Sequence, residues 1–270
     1  MSTNDSLKIL SVGNSFAMDT TQYVPQIALD VGFKKIHIGT LYIGGCSINR
    51  HYANAQANAR EYTYYVNDGD GWNEIPHMSI EDAIQSDEWD FISIQHGTGD
   101  GSRYTCAESY NNLASLVEYI REKAPQKTKI AFNMAWVMEP DGTHPEIRSY
   151  DGDQLRMYEN LTRITEHIVM PTRGIDIISP VGTAIQNARK TEKFGCLCRD
   201  SFHLSYNKGR YIAAMTFLGK LTKKDLEGIS FAPEGVSEEE RIMAIECAKK
   251  AIEKPFGISE YIKTESSKEE

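Results

Sequence analysis

Short apolar runs alternate with amphipathic stretches along most of the chain. The apolar runs are rich in β-branched residues and predict five buried strands, at 7–13, 34–43, 90–95, 129–136 and 175–180. The amphipathic stretches predict helices, at 21–32, 107–124, 154–170, 206–222 and 237–253. Strands separated by helices favour a parallel sheet that is covered on both faces. We therefore predict a three-layer α/β/α sandwich with a five-stranded, mainly parallel sheet.

One segment interrupts this alternation. Residues 60–84 combine alternating aromatic side chains with an Asp-Gly-Asp-Gly turn, which is followed by Trp72 and Ile75. This pattern predicts a β-hairpin insertion and then a short helix. The hairpin either forms one wall of a binding cleft or packs on the surface, and the sequence leaves both alternatives open.

The size of the chain suits one domain. Its 270 residues are 40% hydrophobic, which is enough apolar material for a single core. The sequence shows no Pro/Gly/Ser-rich linker between halves and no internal repeat. We predict one domain over 1–270 with its core at about 7–222, a C-terminal helix at about 237–253 and a disordered polar tail at about 263–270.

Charge and composition argue against several classes of partner. The formal net charge is -9 and the pI is near 5.4, which disfavours binding to a nucleic acid. Apolar runs fall short of the roughly 18 residues that span a bilayer, and the first residues do not resemble a secretory signal. The five cysteines fit reduced thiols better than a disulfide framework. We expect a cytoplasmic protein without a membrane or nucleic-acid partner.

Ser15 follows the first predicted strand, in the stretch Gly13-Asn14-Ser15. Ligands of parallel sheets bind beyond the carboxyl ends of the strands, so this is a place to look for chemistry. A serine at a strand-to-helix turn often caps the helix. The same turn can instead display the hydroxyl as a nucleophile, with the helix dipole favouring a developing oxyanion. The stretch by itself leaves both roles open.

A second stretch, residues 199–205, favours the nucleophile. Asp200 and His203 lie three residues apart, so a tight turn can place the carboxylate against one imidazole nitrogen. The other nitrogen then remains available to take a proton from a hydroxyl. Because this pair follows the fifth predicted strand, it can reach the same edge of the sheet as Ser15. The three residues predict a Ser-His-Asp triad, which is defined by roles and not by chain order.

Gly13-Asn14-Ser15 and Asp200-x-x-His203 resemble the first and last sequence blocks of the SGNH (GDSL-type) hydrolases. The resemblance covers roughly 7–222 and is greatest to a bacterial branch whose first block reads G-N-S. It implies a flavodoxin-like fold and an esterase that needs no cofactor. It also implies that Ser15 is the nucleophile, His203 the base and Asp200 the group that orients the imidazole. Asn14 replaces the commoner aspartate of the family, at a position that is not the nucleophile.

The second block of the family is a glycine after strand two whose N–H helps to hold the oxyanion. Gly44 and Gly45 stand at this place, and the lack of a Cβ lets their backbone approach a ligand. Gly45 lies further out on the loop, so we expect it to share the oxyanion hole with the N–H of Ser15. Gly44 is then a substrate-binding candidate. A plain glycine turn is the alternative.

The third block departs from the family. The usual Gly-x-Asn-Asp supplies an asparagine as a third oxyanion donor, whereas 97–100 reads Gly-Thr-Gly-Asp and places Gly99 there. Some carbohydrate-directed relatives carry a glutamine at the end of this strand, which makes Gln95 the first candidate for the missing donor. His96 is a second candidate and a possible contact of the substrate. The alternative is that Gln95 is a buried amide bonded to backbone.

Two further stretches carry weaker signals. Trp136 ends the fourth predicted strand and either lines the cleft as a substrate-binding residue or belongs to the core. Cys196 and Cys198 lie near His203, but a single Cys-x-Cys without a second pair of ligands is a weak indication of zinc. We therefore expect no metal.

The resemblance, the aromatic hairpin and the lack of an obvious apolar lid favour a short acyl ester, such as an O-acetyl group on a carbohydrate. We therefore predict a serine esterase of this specificity. The competing hypothesis is a catalytically weak glycan-binding protein that retains the fold. The glycine at position 99 favours this alternative, whereas the intact Ser15, Asp200 and His203 oppose it.

Overall fold

The computed structural model describes residues 5–98 and 103–260. The strands in these residues are β1 (Ser6–Gly13), β2 (Lys35–Tyr42), β3 (Tyr62–Asn67), β4 (Trp72–Met78), β5 (Phe91–Ile94), β6 (Lys129–Asn133) and β7 (Ile177–Ser179). The α-helices are α1 (Ser15–Thr21), α2 (Val24–Asp30), α3 (Ile48–Ala57), α4 (Ile80–Gln85), α5 (Leu113–Lys123), α6 (Pro145–Arg148), α7 (Gln154–Ile164), α8 (Val181–Lys190), α9 (Lys208–Thr222) and α10 (Glu238–Glu253). A 3₁₀ turn covers Ala107–Tyr110, and a π-helical segment, Thr165–Val169, continues α7.

The strands form one sheet in the order β4-β3-β2-β1-β5-β6-β7. The five strands from β2 to β7 in this order are parallel, and β3 and β4 pair antiparallel at one edge. β1 lies at the centre, where Ile9, Leu10 and Val12 are completely buried. Helices α1, α2, α8, α9 and α10 contact one another in one layer, and α3, α4 and α5 form part of the opposite layer. The predicted three-layer α/β/α architecture with a mostly parallel sheet is confirmed.

The predicted number of strands is wrong, because the sheet has seven and not five. The two additional strands are the hairpin predicted at 60–84. Its first strand, β3, pairs with β2, and Tyr64 packs over Gly39, where a Cβ would lie 2.4 Å from the Tyr64 hydroxyl oxygen. The hairpin therefore extends the sheet instead of standing apart as an insertion. The turn chemistry identified the hairpin, but the edge it joins depends on this long-range fit.

Several helices, among them α3 and α8, have no counterpart in the predictions. The buried positions of α3 are Ile48, His51, Asn54 and Ala55, at the three- and four-residue spacing of a helix. Because two of these four side chains are polar, the hydrophobic pattern did not reveal the helix. Helix α8, which was not predicted either, begins directly after Pro180.

None of the helices in the described ranges is long and apolar enough to cross a membrane. The tail predicted to be disordered, at about 263–270, lies outside the described residues.

Candidate active site

Three loops meet beyond the carboxyl ends of β1, β2 and β5. The side-chain amide of Asn14, after β1, donates to the carbonyl of Cys46 in the loop after β2, at 3.1 Å. Gly97, after β5, faces both loops, since a Cβ on it would lie 2.6 Å from Asn14 Nδ2 and 2.7 Å from the Gly45 oxygen. Only glycine fits this contact. The first three sequence blocks singled out above therefore come together at one edge of the sheet.

Asn14, and not Ser15, caps helix α1. The backbone of Asn14 is extended, with φ -148° and ψ -157°, and its side-chain oxygen accepts from the N–H of Phe16 at 2.9 Å. This is the geometry of an N-cap residue. Ser15 is the first residue of the helix, so its hydroxyl is not used for capping. Of the two roles that the sequence left open for Ser15, the structure therefore assigns helix capping to Asn14 instead.

A tight hairpin brings Asp200 and His203 together. Cys198 and Leu204 pair across its base as an antiparallel bridge, and Ser201 takes a left-handed conformation with φ 73° in its turn. Asp200 Oδ1 accepts from the backbone N–H of His203 at 2.8 Å, which fixes the carboxylate within its own turn. The hairpin thus positions both side chains through local hydrogen bonds.

Ser15, His203 and Asp200 form a continuous chain of hydrogen bonds. The distance between Ser15 Oγ and His203 Nε2 is 2.8 Å, and that between His203 Nδ1 and Asp200 Oδ2 is 2.7 Å. With Asp200 ionised, Nδ1 carries the proton and donates to the carboxylate. Nε2 is then free to accept from the hydroxyl of Ser15. The sequence predicted that these three residues meet, although Ser15 and His203 lie 188 positions apart.

The environment of Asp200 favours its ionised form. Partial burial acts to raise its pKa, but the hydrogen bonds from the ring and the backbone N–H of His203 outweigh burial. The pKa of Asp200 is therefore held below its ordinary value. An ionised carboxylate at this position orients the imidazole and stabilises its charged form.

Aromatic side chains hold the hairpin in place. Trp136 donates from its indole N–H to the carbonyl of Phe202 at 2.7 Å. The ring of Phe202 lies 4.1 Å from that of His203, and the ring of Phe16 lies edge-on to His203 at 6.0 Å between centroids. These contacts restrict the position of the imidazole next to Ser15.

A buried carboxylate that the sequence did not reveal ties the same hairpin to helix α1. Asp19 is fully buried, and its Oδ2 accepts from the backbone N–H of Leu204 at 2.8 Å. Its Oδ1 accepts from Arg199 Nη1 at 3.1 Å and from Arg210 Nε at 2.8 Å. Asp19 therefore links the helix that begins with Ser15 to the residue after His203. Its partners lie 180 or more positions away, so no local pattern could show this link.

Gly45 occupies a conformation that favours glycine. Its φ is 63°, and it lies in a turn closed by a hydrogen bond from the N–H of Cys46 to the carbonyl of Ile43, at 3.2 Å. Gly44, by contrast, faces open space apart from the Tyr42 side chain. The two glycines thus stand where the sequence placed them, beside the turn that carries Ser15. Their parts in holding an oxyanion or a substrate remain predictions.

Gln95 lies beneath this surface. Its side chain is 1% exposed, and Oε1 accepts from Asn133 Nδ2 at 3.3 Å. Nε2 is buried and has no hydrogen-bond partner among residues 5–98 and 103–260. This placement matches a buried amide, although its partner is a side chain and not the expected backbone. Gly99, which stands where the family has asparagine, lies outside the described residues.

His96 and Trp136 do not line an open cleft. His96 is 2% exposed, its ring lies 5.0 Å from that of Tyr110, and both its nitrogens face backbone carbonyls of Gly97 and Ser109. Burial lowers the pKa of His96 to about 4, so the ring is neutral near pH 7. Trp136 is completely buried. The prediction that these side chains contact substrate is corrected, because both belong to the supporting core.

Glu146 is a buried carboxyl group behind these loops. It is 1% exposed, and its Oε1 accepts from the backbone N–H and the hydroxyl of Thr105 at 2.9 and 2.7 Å. Its Oε2 is buried and has no hydrogen-bond partner in the described part of the chain. Burial raises the pKa of Glu146 to about 7, although the Thr105 hydrogen bonds and the Arg103 charge act in the opposite direction.

This raised pKa predicts a pH-dependent gain in stability for Glu146→Gln. In the unfolded chain the carboxyl ionises near pH 4.3, whereas in the folded protein it stays protonated up to about pH 7. Wild-type stability therefore falls as the pH rises through this window, by about 3 kcal/mol for this group. The amide that replaces the carboxyl group does not titrate. We expect the difference in unfolding free energy, variant minus wild type, to rise by about this amount between pH 5 and pH 8.

Urea denaturation at several pH values measures this difference. Glu118→Gln on α5 makes the same chemical change at an exposed position and serves as the matched control. We expect its difference from wild type to stay nearly constant with pH. A flat difference for Glu146→Gln as well would show that Glu146 ionises normally in the fold.

No group of three or more His, Cys, Asp or Glu side chains suitable for holding a metal ion occurs within residues 5–98 and 103–260. In the Cys-x-Cys pair, Cys198 is buried and Cys196 is exposed. Cys196 Sγ lies 3.1 Å from the backbone oxygen of Cys198. The pair is thus part of the hairpin base that supports His203.

The architecture described above defines a three-layer α/β protein with a mostly parallel sheet. A family model described as DUF4886, a domain of unknown function, matches residues 8–251, and the chain belongs to this family.

Solved structures are similar to this chain over most of its length. A DUF4886 family protein from Bacteroides uniformis ATCC 8492 is similar at a TM-score of 0.88 and 33% sequence identity, over 94% of this chain and 97% of that one. A single-substitution variant of Axe2, an acetyl xylan esterase from Geobacillus stearothermophilus, is similar at a TM-score of 0.50 and 18% identity, over 80% of this chain and 94% of that one. A search among curated proteins found no match.

Proposed function

We propose that the protein is a serine esterase that removes short acyl groups, of the O-acetyl class, from carbohydrates. The observation that carries the proposal is the hydrogen-bonded chain from Ser15 Oγ through His203 to Asp200 at the carboxyl edge of the sheet. A nucleophile, a base and a group that orients the base are the parts that acyl transfer needs. Such chemistry requires no cofactor.

In the first half of the reaction, Ser15 Oγ attacks the ester carbonyl carbon while its proton passes to His203 Nε2. The carbonyl oxygen becomes an oxyanion, which the backbone N–H groups of Ser15 and Gly45 stabilise. The N–H of Ser15 suits this role because N–H groups in the first turn of a helix have no acceptor within the helix. The carbon–oxygen bond to the alcohol then breaks, and His203 gives its proton to the departing oxygen.

In the second half, water attacks the acyl-enzyme. His203 Nε2 takes a proton from the water as the new carbon–oxygen bond forms, and the bond to Ser15 Oγ then breaks. The proton returns to Ser15, and the short carboxylic acid leaves. Asp200 stays ionised throughout, holds Nδ1 and stabilises the imidazolium that forms in each half.

Two observations support the acyl class and the carbohydrate. The chain resembles a G-N-S branch of the SGNH hydrolases, and its fold is similar to that of an acetyl xylan esterase. The hairpin first considered as an aromatic cleft wall is part of the sheet, so it no longer supports a carbohydrate substrate.

Hydrolysis of a graded series of p-nitrophenyl esters tests the proposal. We expect kcat/KM to be highest for the acetate and at least about tenfold lower for the octanoate, because a pocket built for a short acyl group excludes the longer one. A preference for long chains would overturn the short-acyl assignment. Binding of glycans without turnover of any ester in the series would favour a glycan-binding protein instead.

A further inference from the structure

A pocket of about 560 Å³ lies between the loop after β5 and the first turns of α7. Three of its lining residues are arginines, Arg103, Arg156 and Arg163, and the others include Tyr150, Glu159 and Asn160. We call it the arginine pocket. The mechanism proposed above makes no use of it.

The side chains of the arginine pocket hold one another in place. The guanidinium carbons of Arg103 and Arg156 lie 5.9 and 5.7 Å from the centroid of the Tyr150 ring, at cation–π distance. Asn160 Nδ2 donates to the Tyr150 hydroxyl at 2.6 Å, and Asn160 Oδ1 accepts from Arg163 Nη2 at 2.7 Å. The three guanidinium groups are therefore arranged around one tyrosine and one asparagine.

Positive charge exceeds negative charge in this pocket. Among the described residues of the lining, Glu159 is the one carboxylate, against three guanidinium groups. Arg156 approaches Asp151 at 3.9 Å, but Asp151 is 92% exposed and such a pair contributes little. Arg103 Nε is buried without a hydrogen-bond partner in the part of the chain that the structure describes. In a chain of net charge -9, this local excess favours an anionic ligand.

Buried aromatic side chains connect the arginine pocket to the triad. Arg103 precedes Tyr104, whose ring packs edge-on against Phe16 at 6.0 Å and whose hydroxyl donates to the carbonyl of Trp136 at 3.0 Å. Phe16 follows Ser15, and Trp136 holds the hairpin of His203. The loop after β5 contributes Arg103 to the arginine pocket and Tyr104 to the support of the triad, and α7 supplies the other side of the pocket. A substrate that occupies both sites must span from Ser15 to the pocket, which calls for several linked sugars.

We propose that the arginine pocket binds an acidic group on the carbohydrate, so that the substrate is an acetylated acidic glycan. This inference rests on the proposed function for its ester, but the binding itself does not require catalysis. A guanidinium matches the two oxygens of a carboxylate through paired N–H donors, and a sulfate ester offers the same geometry. The shared chemistry is an oxyanion carried by a sugar.

Titration calorimetry with glycans that carry no ester tests the binding. The probes are trigalacturonic acid, a sulfated trisaccharide and uncharged xylotriose. We expect at least one charged probe to bind at least about tenfold more tightly than xylotriose, since each charge-assisted hydrogen bond contributes this much or more. The tighter charged probe identifies the acidic group. Equal binding of all three would overturn the inference.

Substitutions separate the pocket from the overall charge of the protein. Arg156→Gln and Arg163→Gln should each weaken binding of the preferred charged probe about tenfold. Glu159→Gln removes the lining carboxylate and should tighten it several-fold. Arg173→Gln makes the same charge change at an exposed position outside the pocket and is the matched control. Equal losses in Arg173→Gln and the pocket variants would show a general charge effect and overturn the inference.

Turnover distinguishes failure of the inference from failure of the proposed function. The ratio of kcat/KM for an acetylated galacturonan oligosaccharide to that for p-nitrophenyl acetate should fall about tenfold in Arg156→Gln. If both esters are hydrolysed but no charged probe binds selectively, the esterase stands and the pocket assignment fails. If the charged probe binds selectively and no ester is hydrolysed, the pocket stands as a glycan-binding site and the esterase assignment fails.

Discussion

Ser15→Ala is expected to lower kcat for p-nitrophenyl acetate by about 10³-fold or more. The substitution removes the oxygen that forms the acyl-enzyme. The same oxygen, Ser15 Oγ, lies 2.8 Å from His203 Nε2, the nitrogen that takes its proton. The fold should be unaffected. Asn14 supplies the cap of α1, so the Ser15 hydroxyl has no part in starting the helix.

Initial rates with purified protein measure the loss of kcat, and the midpoint of thermal unfolding measures whether the fold is unaffected. Ser86→Ala removes a hydroxyl at the end of α4, far along the chain from the triad, and serves as the control that keeps full activity. Undiminished turnover in Ser15→Ala would mean that another group is the nucleophile. A loss of activity accompanied by unfolding would instead give Ser15 a structural role.

Asp19→Asn is expected to destabilise the protein by about 3 kcal/mol. The carboxylate is fully buried and pairs with two partly exposed guanidinium groups, so its replacement by an amide removes the counter-charge of Arg199 and Arg210 and weakens their hydrogen bonds. For a chain of this size we expect the midpoint of thermal unfolding to fall by roughly 10 °C. The hydrogen bond from Leu204 is weakened as well, so kcat should fall in the protein that remains folded.

Thermal unfolding and single-turnover rates below the midpoint test this second expectation. Asp70→Asn makes the same change at an exposed position in the hairpin turn, and we expect it to alter stability by less than about 0.5 kcal/mol. If Asp19→Asn were as stable as Asp70→Asn, the buried cluster around Asp19 would contribute nothing to the link between α1 and the His203 hairpin.

Much of the fold could be predicted because each core strand has a recognisable pattern in its own stretch of sequence. The apolar runs of β1, β2, β5, β6 and β7 are short, β-branched and separated by amphipathic helices, so class and layering followed from periodicity. The hairpin of β3 and β4 was equally visible in its turn. Its attachment to β2 was not, because this depends on Tyr64 fitting over Gly39 across the sheet.

The candidate site divides in the same way. Asp200 and His203 are close in sequence, and the ends of parallel strands meet at one edge, so their encounter with Ser15 could be predicted. The burial of a side chain could not be predicted from the sequence. For this reason Gln95, His96 and Trp136 were candidates for the cleft, although all three are buried in the structure. Asp19 escaped prediction for a related reason. A single aspartate in a helical stretch looks exposed until its distant arginines are placed beside it.

The most direct test of the account is covalent labelling by a fluorophosphonate, read by peptide mass spectrometry. An activated serine attacks the phosphorus and displaces fluoride, so the wild-type protein should gain one adduct, on Ser15. His203→Ala should label at least about a hundredfold more slowly because the base is lost. Ser15→Ala should not label. An adduct on another residue, or no adduct on the folded wild-type protein, would contradict the assignment of Ser15 as the nucleophile.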